Sequence, residues 1–191
     1  MSTSPLLQAP GAVPGEGLDA GVAAHYGDPM REQRILAEGL GVVDLSHRGV
    51  VTVTGPDRLS WLHSLTSQQL TGLAPRTSAE SLVLTPKGHV EHALHLVDDG
   101  ETTWITVEPG TAASLAAWLD SMRFMLRVEV ADRSEEYAVL GEPAAIAMGG
   151  ILHAAIRMVH PISSRVGHQI DVRAQGGYVV APACRITAPP A

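Results

Sequence analysis

The segment Val50-Val51-Thr52-Val53-Thr54 is β-branched at every position, and Gly55-Pro56-Asp57 follows it directly. Branching at Cβ restricts χ1 and favours the pleated, packed surface of a strand over a helix. The Gly-Pro-Asp breaker ends that strand, and the fixed φ of Pro56 suits the first turn of a helix. Beyond it, Leu59, Leu62 and Leu65 lie three apart, which predicts a helix over residues 57–66 with one apolar stripe. Trp61 falls beside that stripe and is expected to cover its edge. A strand, a sharp break and an amphipathic helix thus set the grain of the fold.

The same two periods recur along the chain. Asp28 to Leu40 reads as a helix, with Pro29 in its first turn and Gly39 and Gly41 near its end. Ser81 to Thr85 and His89 to Val97 read as strands around the turn Pro86-Lys87-Gly88, and Asp98-Asp99-Gly100 turns the chain into a third strand, Thr103 to Val107. Thr111 to Met122 is the clearest helix, because Leu115, Trp118, Leu119 and Met122 follow the i, i+3, i+4, i+7 template. Leu126, Val128 and Val130 then alternate with Arg127 and Glu129, the period of a half-solvated strand. Hairpin-length turns between strands predict an α+β fold, an antiparallel sheet with packed helices. Leu115, Trp118, Leu119 and Met122 are expected to face a sheet that includes Val51, Val53, Leu82, Leu84, Ile105 and Val128.

Composition bounds the rest. A chain of 191 residues, 45% hydrophobic with only one Phe, builds a core that is mostly aliphatic. A net charge of −7 argues against an electrostatic grip on nucleic acid, which needs clustered Lys and Arg. Cys184 is the sole cysteine, so intramolecular disulfides and all-cysteine metal sites are excluded. The first residues show no signal-peptide pattern, and the longest apolar stretch, Ala144 to Ile156, is too short to span a bilayer. A cytoplasmic protein without membrane contact is the expectation. Residues 1–24, rich in Pro, Gly and Ala, read as a flexible lead-in. Residues 1–143 hold 19 acids and 9 bases, whereas 144–191 hold one acid and four arginines; that later stretch reads as an atypical, loosely packed tail, with Val179 to Ala181 a short strand at most.

The ordered segments Val43-Asp44-Leu45-Ser46, Arg48-Gly49-Val50, Val53-Thr54-Gly55-Pro56-Asp57-Arg58 and Trp61 to Gln68 resemble the YgfZ branch of the glycine-cleavage T-protein (aminomethyltransferase) superfamily. In that family an Asp-x-Ser turn leads to a strand, a Gly-x-Asp/Glu-Arg turn, and a helix ending near a polar Thr-Ser-Gln. The similarity continues through Leu84-Thr85-Pro86-Lys87-Gly88, Trp104 to Val107, and the helix ending Met122-Arg123-Phe124. It covers residues 25 to 140, the N-terminal part of the family only. The resemblance implies a folate-binding region and a tetrahydrofolate-type cofactor. Its pterin-side wall would fall at Leu84, Thr85, Lys87, Val107 and Glu108. For the YgfZ branch it implies an accessory role in iron–sulfur cluster assembly or maintenance, with effects on tRNA modification and iron–sulfur proteins as partners, and no direct contact with nucleic acid.

Two departures bear on activity. T-proteins carry an Asp-Asp pair shortly after the hairpin glycine, and this chain has His92 and Ala93 there. Ala93 can neither orient a cation nor accept a proton, so aminomethyl transfer by the family route is expected to be lost, with no catalytic residue assigned. Glu91 would face the opposite side of the strand from His92. The YgfZ branch also carries a later Lys-Gly-Cys-Tyr-x-Gly-Gln-Glu signature that Cys184, in Ala181-Pro182-Ala183-Cys184-Arg185, does not match. A truncated or unusual member is the expectation. The alternatives are a tetrahydrofolate-dependent aminomethyltransferase and a non-functional truncated fragment.

Other features have plainer readings beside the functional ones. His89, His92 and His95 suggest a metal cluster only on a helix; on a strand His92 is split from the other two, so structural or surface roles are preferred and no metal site is assigned. Lys87 is either a solvated turn residue or the partner of an anionic folate tail. Glu108 is either an exposed loop acid before Pro109-Gly110 or a polar group against the pterin. Trp61 and Trp118 fit the core better than a stacking platform. Ser46, Ser64 and Ser67 lack a nucleophile-elbow context.

Overall fold

The computed structural model describes residues 3–38, 40–144, 153–159, 172–173 and 179–180. Its centre is a five-stranded antiparallel sheet of β4 (Gly49–Thr54), β5 (Thr77–Leu84), β6 (Val90–Asp98), β7 (Thr102–Val107) and β8 (Glu129–Asp132), in the order β5-β6-β7-β4-β8. Two helices, α2 (Arg58–Leu65) and α3 (Ala112–Met122), supply side chains to the core on one face. A second, three-stranded sheet is formed by β10 (His153–Val159), β9 (Ala138–Ala144) and β3 (Val43–Asp44). Short pairs complete the chain: β1 (Val13–Pro14) with β2 (Ala23–His25), and β11 (Val172–Arg173) with β12 (Val179–Val180). Helix α1 (Pro29–Ala37) begins at Asp28, whose carboxylate accepts the Arg31 amide at 3.0 Å. The α+β fold with an antiparallel sheet and packed helices is therefore the one observed. No helix among the described residues is long and apolar enough to cross a membrane.

The sheet carries two apolar layers. On the helix face, Val51, Val53, Val83, Leu94, Leu96, Ile105 and Val107 pack with Leu62, Leu115 and Leu119. On the other face, Val50, Val97 and Trp104 pack with Val139, Leu45 and Tyr137, and the Trp104 and Tyr137 rings meet edge to face at 5.0 Å. Gly49 lets α3 approach the sheet, because a Cβ there would stand 2.6 Å from that of Ala112.

Three expectations are corrected. Leu82 and Leu84 do not face α3. Ser81 and Val83 point into that layer, Leu82 is only half-buried, and Leu84 is exposed beside a register shift after Val83. In Leu82-Val83-Leu84 all three residues are apolar, so hydrophobicity alone could not choose the buried set. In α2 the buried stripe is Arg58, Trp61 and Leu62, with Leu65 packed against it; Leu59 stands aside, and Trp61 is core rather than edge.

Residues 3–26 are also ordered rather than a flexible lead-in. They form two 3-10 turns and the β1–β2 ribbon. The hydroxyl of buried Ser4 donates to Asp44, and Asp19 lies 2.9 Å from His47. Polar bonds hold this segment, with Val22 its one buried apolar side chain, so it shows no hydrophobic period. Within the stretch expected to be a loose tail, the described residues are β10, paired with β9 from His153↔Ala144 to Val159↔Ala138, and the β11–β12 pair; Cys184 lies outside the described residues.

The helix placement has a direct check. Leu119 is fully buried, so Leu119→Ala should cost about 2–5 kcal/mol in a denaturant melt. A loss near zero would show that α3 presents a different face to the sheet.

Candidate functional site

Ligand access on a sheet covered along both faces is best at the strand ends, and the two ends differ. At one end lie Gly55, Asp57, Arg58 and the β6–β7 turn. Asp98, 1% exposed, accepts two parallel bonds from Arg58, Nε to Oδ2 and Nη2 to Oδ1, both 2.7 Å. It also accepts the Thr103 hydroxyl at 2.6 Å and the Gly100 amide at 2.9 Å. Burial alone would raise the Asp98 carboxyl; the bonds from Arg58, Thr103 and Gly100, with the Arg58 charge, outweigh it and hold the group below the usual carboxylate range. Asp57 accepts the backbone and guanidinium N–H groups of Arg127 at 2.8–3.0 Å. Gly55, at φ +111°, allows the Arg127 carbonyl to come within 2.1 Å of where a Cβ would sit. Arg58, Asp98, Asp57 and Arg127 are thus paired within the chain, beside a cleft of about 440 Å³ lined by Thr54, Gly55, Pro56, Arg58, Gly100, Glu101 and Thr102. This end is a brace.

The opposite end, where β4 begins and β7 finishes, holds the open chemistry. Residues directly opposed in an antiparallel pair share a face, and neighbours along a strand alternate. Leu82 is paired with Ala93. His95↔Thr106 is the last β6–β7 pair, and two residues further along both strands Ala93 comes level with Glu108. Gly49↔Val107 likewise brings Arg48 level with Glu108, and the two side chains meet, Nη1 to Oε1 at 3.2 Å. Leu82, Ala93, Glu108 and Arg48 therefore form a transverse row on the face away from the helices. Glu108 is fixed from behind, since its carbonyl accepts the Thr111 amide at 3.2 Å and hydroxyl at 2.8 Å. Its side chain stays 46% exposed.

Beside Arg48, toward β8, lies a cleft of about 290 Å³ lined by His47, Arg48, Gly49, Gly110, Ala112, Ala113, Asp132, Ser134 and Glu135. One wall is tied by a relay: the Val50 amide donates to the Ser134 hydroxyl at 3.0 Å, and that hydroxyl donates to Asp132 at 2.5 Å.

The residues expected from sequence divide. Glu108 reaches the open end. Val107 is 1% exposed and turned into the helix-side core, so only its backbone borders the site. Leu84, Thr85 and Lys87 ride on the β5–β6 hairpin, which runs roughly 10 Å past Glu108 at about 3.3 Å per residue. Leu84 and Lys87 are exposed there, and the Thr85 amide closes the turn on the His89 carbonyl at 2.8 Å. His92 and His95 fall on opposite faces, and His95 lies 3.5 Å from Glu80. No group of three metal-ligating side chains gathers among the described residues. Arg48 was missed. Its signal was its place two residues before Val50, which puts it on the Val50 face of β4.

Architecture and site together define an antiparallel α+β domain with a braced end and an open end. Residues 6–142 match the GCVT N-terminal domain, most of the chain, and the chain belongs to that family. An aminomethyltransferase of Chromobacterium violaceum is 31% identical over 100 residues, 52% of this chain and 28% of that protein. One from Nitrosococcus oceani is 28% identical over 138 residues, 70% of this chain and 37% of that protein. A chloroplastic putative transferase of Arabidopsis thaliana is 29% identical over 99 residues, 51% of this chain and 23% of that protein. The chain thus spans about a third of the length of the curated relatives it matches. The crystal structure of the glycine cleavage system aminomethyltransferase T from Bartonella henselae aligns with a TM-score of 0.58 at 21% identity, over 72% of this chain and 38% of that one, a likeness of fold.

The brace sets a pH dependence. A carboxyl with a depressed folded value contributes stability that is complete above the ordinary aspartate value, about 3.9, and is lost as pH falls through the folded one. Urea melts should show this contribution unchanged from pH 7 to 5 and falling below about pH 4. Asp98→Asn should cost about 3–5 kcal/mol at neutral pH, because it leaves Arg58 buried without its counter-charge. An Asp98→Asn melt matching the parent's at pH 7 would show that the pair carries no net stability.

Proposed function

We propose that this domain binds a reduced folate, tetrahydrofolate or a derivative, at the open end of the sheet, and that the chain does not transfer an aminomethyl group from it. Membership of the GCVT N-terminal domain family supports the ligand class. One feature carries the second half: β6 holds Ala93 at the position to which the resemblance assigns a T-protein carboxylate, and an alanine neither orients a cation nor accepts a proton. A non-catalytic folate binder fits the YgfZ type, for which iron–sulfur proteins are the partners and tRNA-modifying enzymes a downstream beneficiary. Lys87, exposed on the projecting hairpin, is the cation this reading assigns to an anionic glutamate tail.

The second reading is a tetrahydrofolate-dependent aminomethyltransferase. It is favoured by the names of the relatives, among them the Chromobacterium and Nitrosococcus proteins. The two readings share the ligand and differ in turnover. Titration of the 191-residue chain with tetrahydrofolate should give saturable but weak binding, since a shallow site buries little of a small molecule. A glycine-cleavage assay supplied with the other components should show no aminomethyl transfer, and Ala93→Asp is the variant in which transfer would return. Transfer by the unaltered chain would overturn the accessory reading in favour of the transferase.

A further inference from the structure

The cleft beside Arg48 has walls of opposite charge. One wall is the start of α3, which contributes Ala112 and Ala113, together with Arg48 at the head of β4. Thr111 stands at the N-cap without a side-chain bond to the helix, because its hydroxyl donates to the Glu108 carbonyl instead. The amides of Ala112, Ala113 and Ser114 therefore meet no acceptor among the described residues. First-turn amides carry a partial positive charge and take an anion where nothing caps them. Arg48 adds a full charge: Nη1 meets Glu108, while Nε and Nη2 have no bond to another described residue. The other wall is the turn after β8. There Ser134 occupies only Oδ1 of Asp132, and exposed Glu135 has no bond or ion pair to a described residue.

A buried group supplies an independent observation. His47 also lines the cleft and is 5% exposed. Its Nε2 lies 2.9 Å from Asp19 Oδ1; an ionised carboxylate only accepts, so Nε2 is the donor and Nδ1 of the neutral ring is an acceptor. That Nδ1 is buried without a partner among the described residues. An orphaned buried acceptor costs free energy until something donates to it, and an N–H from an occupant of the cleft would do so. From these features we infer that the cleft binds a small zwitterion, a molecule carrying a carboxylate and an ammonium group a few bonds apart, as an amino acid does. The carboxylate meets Arg48 and the α3 amides. The ammonium meets Asp132 Oδ2 and Glu135, with His47 Nδ1 as a further acceptor. A simple anion would face the two acids, and a simple cation would face Arg48 and the helix start, so each half alone is disfavoured. The cleft, about 290 Å³, has room for a molecule of amino-acid size at the lower limit of small-molecule pockets, roughly 300 Å³. None of the residues assigned above to folate lines it, so the inference stands apart from that reading.

The test follows the Ala112 and Ala113 amides of the intact, isotope-labelled chain by NMR during titration. The probes are glycine, β-alanine and γ-aminobutyrate, which space the two charges by increasing lengths, with acetate and methylamine as the separate halves. At least one amino acid should shift those amides saturably, with a dissociation constant on the order of 1 mM, and bind about tenfold more tightly than either half. Glu135→Gln should weaken that amino acid about tenfold without weakening acetate. Ala113→Asp puts a carboxylate into the exposed first turn of α3, where it should raise the melting temperature and abolish binding, so that the loss does not reflect unfolding. Three results would each overturn the inference: no saturable shift with any of the amino acids, acetate or methylamine bound as tightly as the best of them, or undiminished binding in Ala113→Asp. Displacement of the amino acid by saturating tetrahydrofolate would also overturn it, by merging the cleft with the folate site.

Discussion

Strand β4 governs the architecture because it is buried on both faces. Gly49, Val50, Val51, Thr52 and Val53 are all inaccessible, so a layer must cover each side of the sheet. Burying a valine side chain stabilises by about 1.5–3 kcal/mol, and the three valines of β4 divide between the two layers. Helices α2 and α3 cover one side; Leu45, Tyr137 and Val139 cover the other. With the middle of β4 closed, the described clefts lie at its two ends, one beside Gly55 and Arg58 and one beside Arg48.

The motifs that make the sequence recognisable are mostly fold-bearing. In Gly55-Pro56-Asp57-Arg58 the glycine permits close approach of the Arg127 carbonyl, the aspartate takes Arg127, and the arginine takes Asp98. In Asp44-Leu45-Ser46 the aspartate accepts both the amide and the hydroxyl of Ser46, at 3.0 and 2.6 Å, and also the hydroxyl of Ser4. These are turn locks and anchors. They explain why motif order identifies the domain family while the chemistry has to be sought at the positions between motifs.

Much of the fold was legible for simple reasons. β-Branched runs and a clean helical period survive any tertiary context, so β4 and α3 fall where the periods put them. The misplacements have equally simple causes. Three consecutive apolar residues hid the register of β5, and a buried arginine in α2 cannot be anticipated without its partner, 40 residues away. The N-terminal segment gave no signal because hydrogen bonds to Asp44 and His47, rather than an apolar stripe, tether it. Glu108 entered as a candidate through the resemblance alone, and its contact with Arg48 depends on the β4–β7 register, which the sequence does not display.

The two arginine–carboxylate pairs on this sheet show how burial assigns roles. Arg58 and Asp98 are 10% and 1% exposed, and each acceptor position on Asp98 is filled from within the chain. Removing one partner there strands a charge in a medium that cannot solvate it, so the pair is structural by consequence. Arg48 and Glu108 have the same chemistry at 24% and 46% exposure. Water solvates either partner if the other is lost, so their attraction adds little to folding.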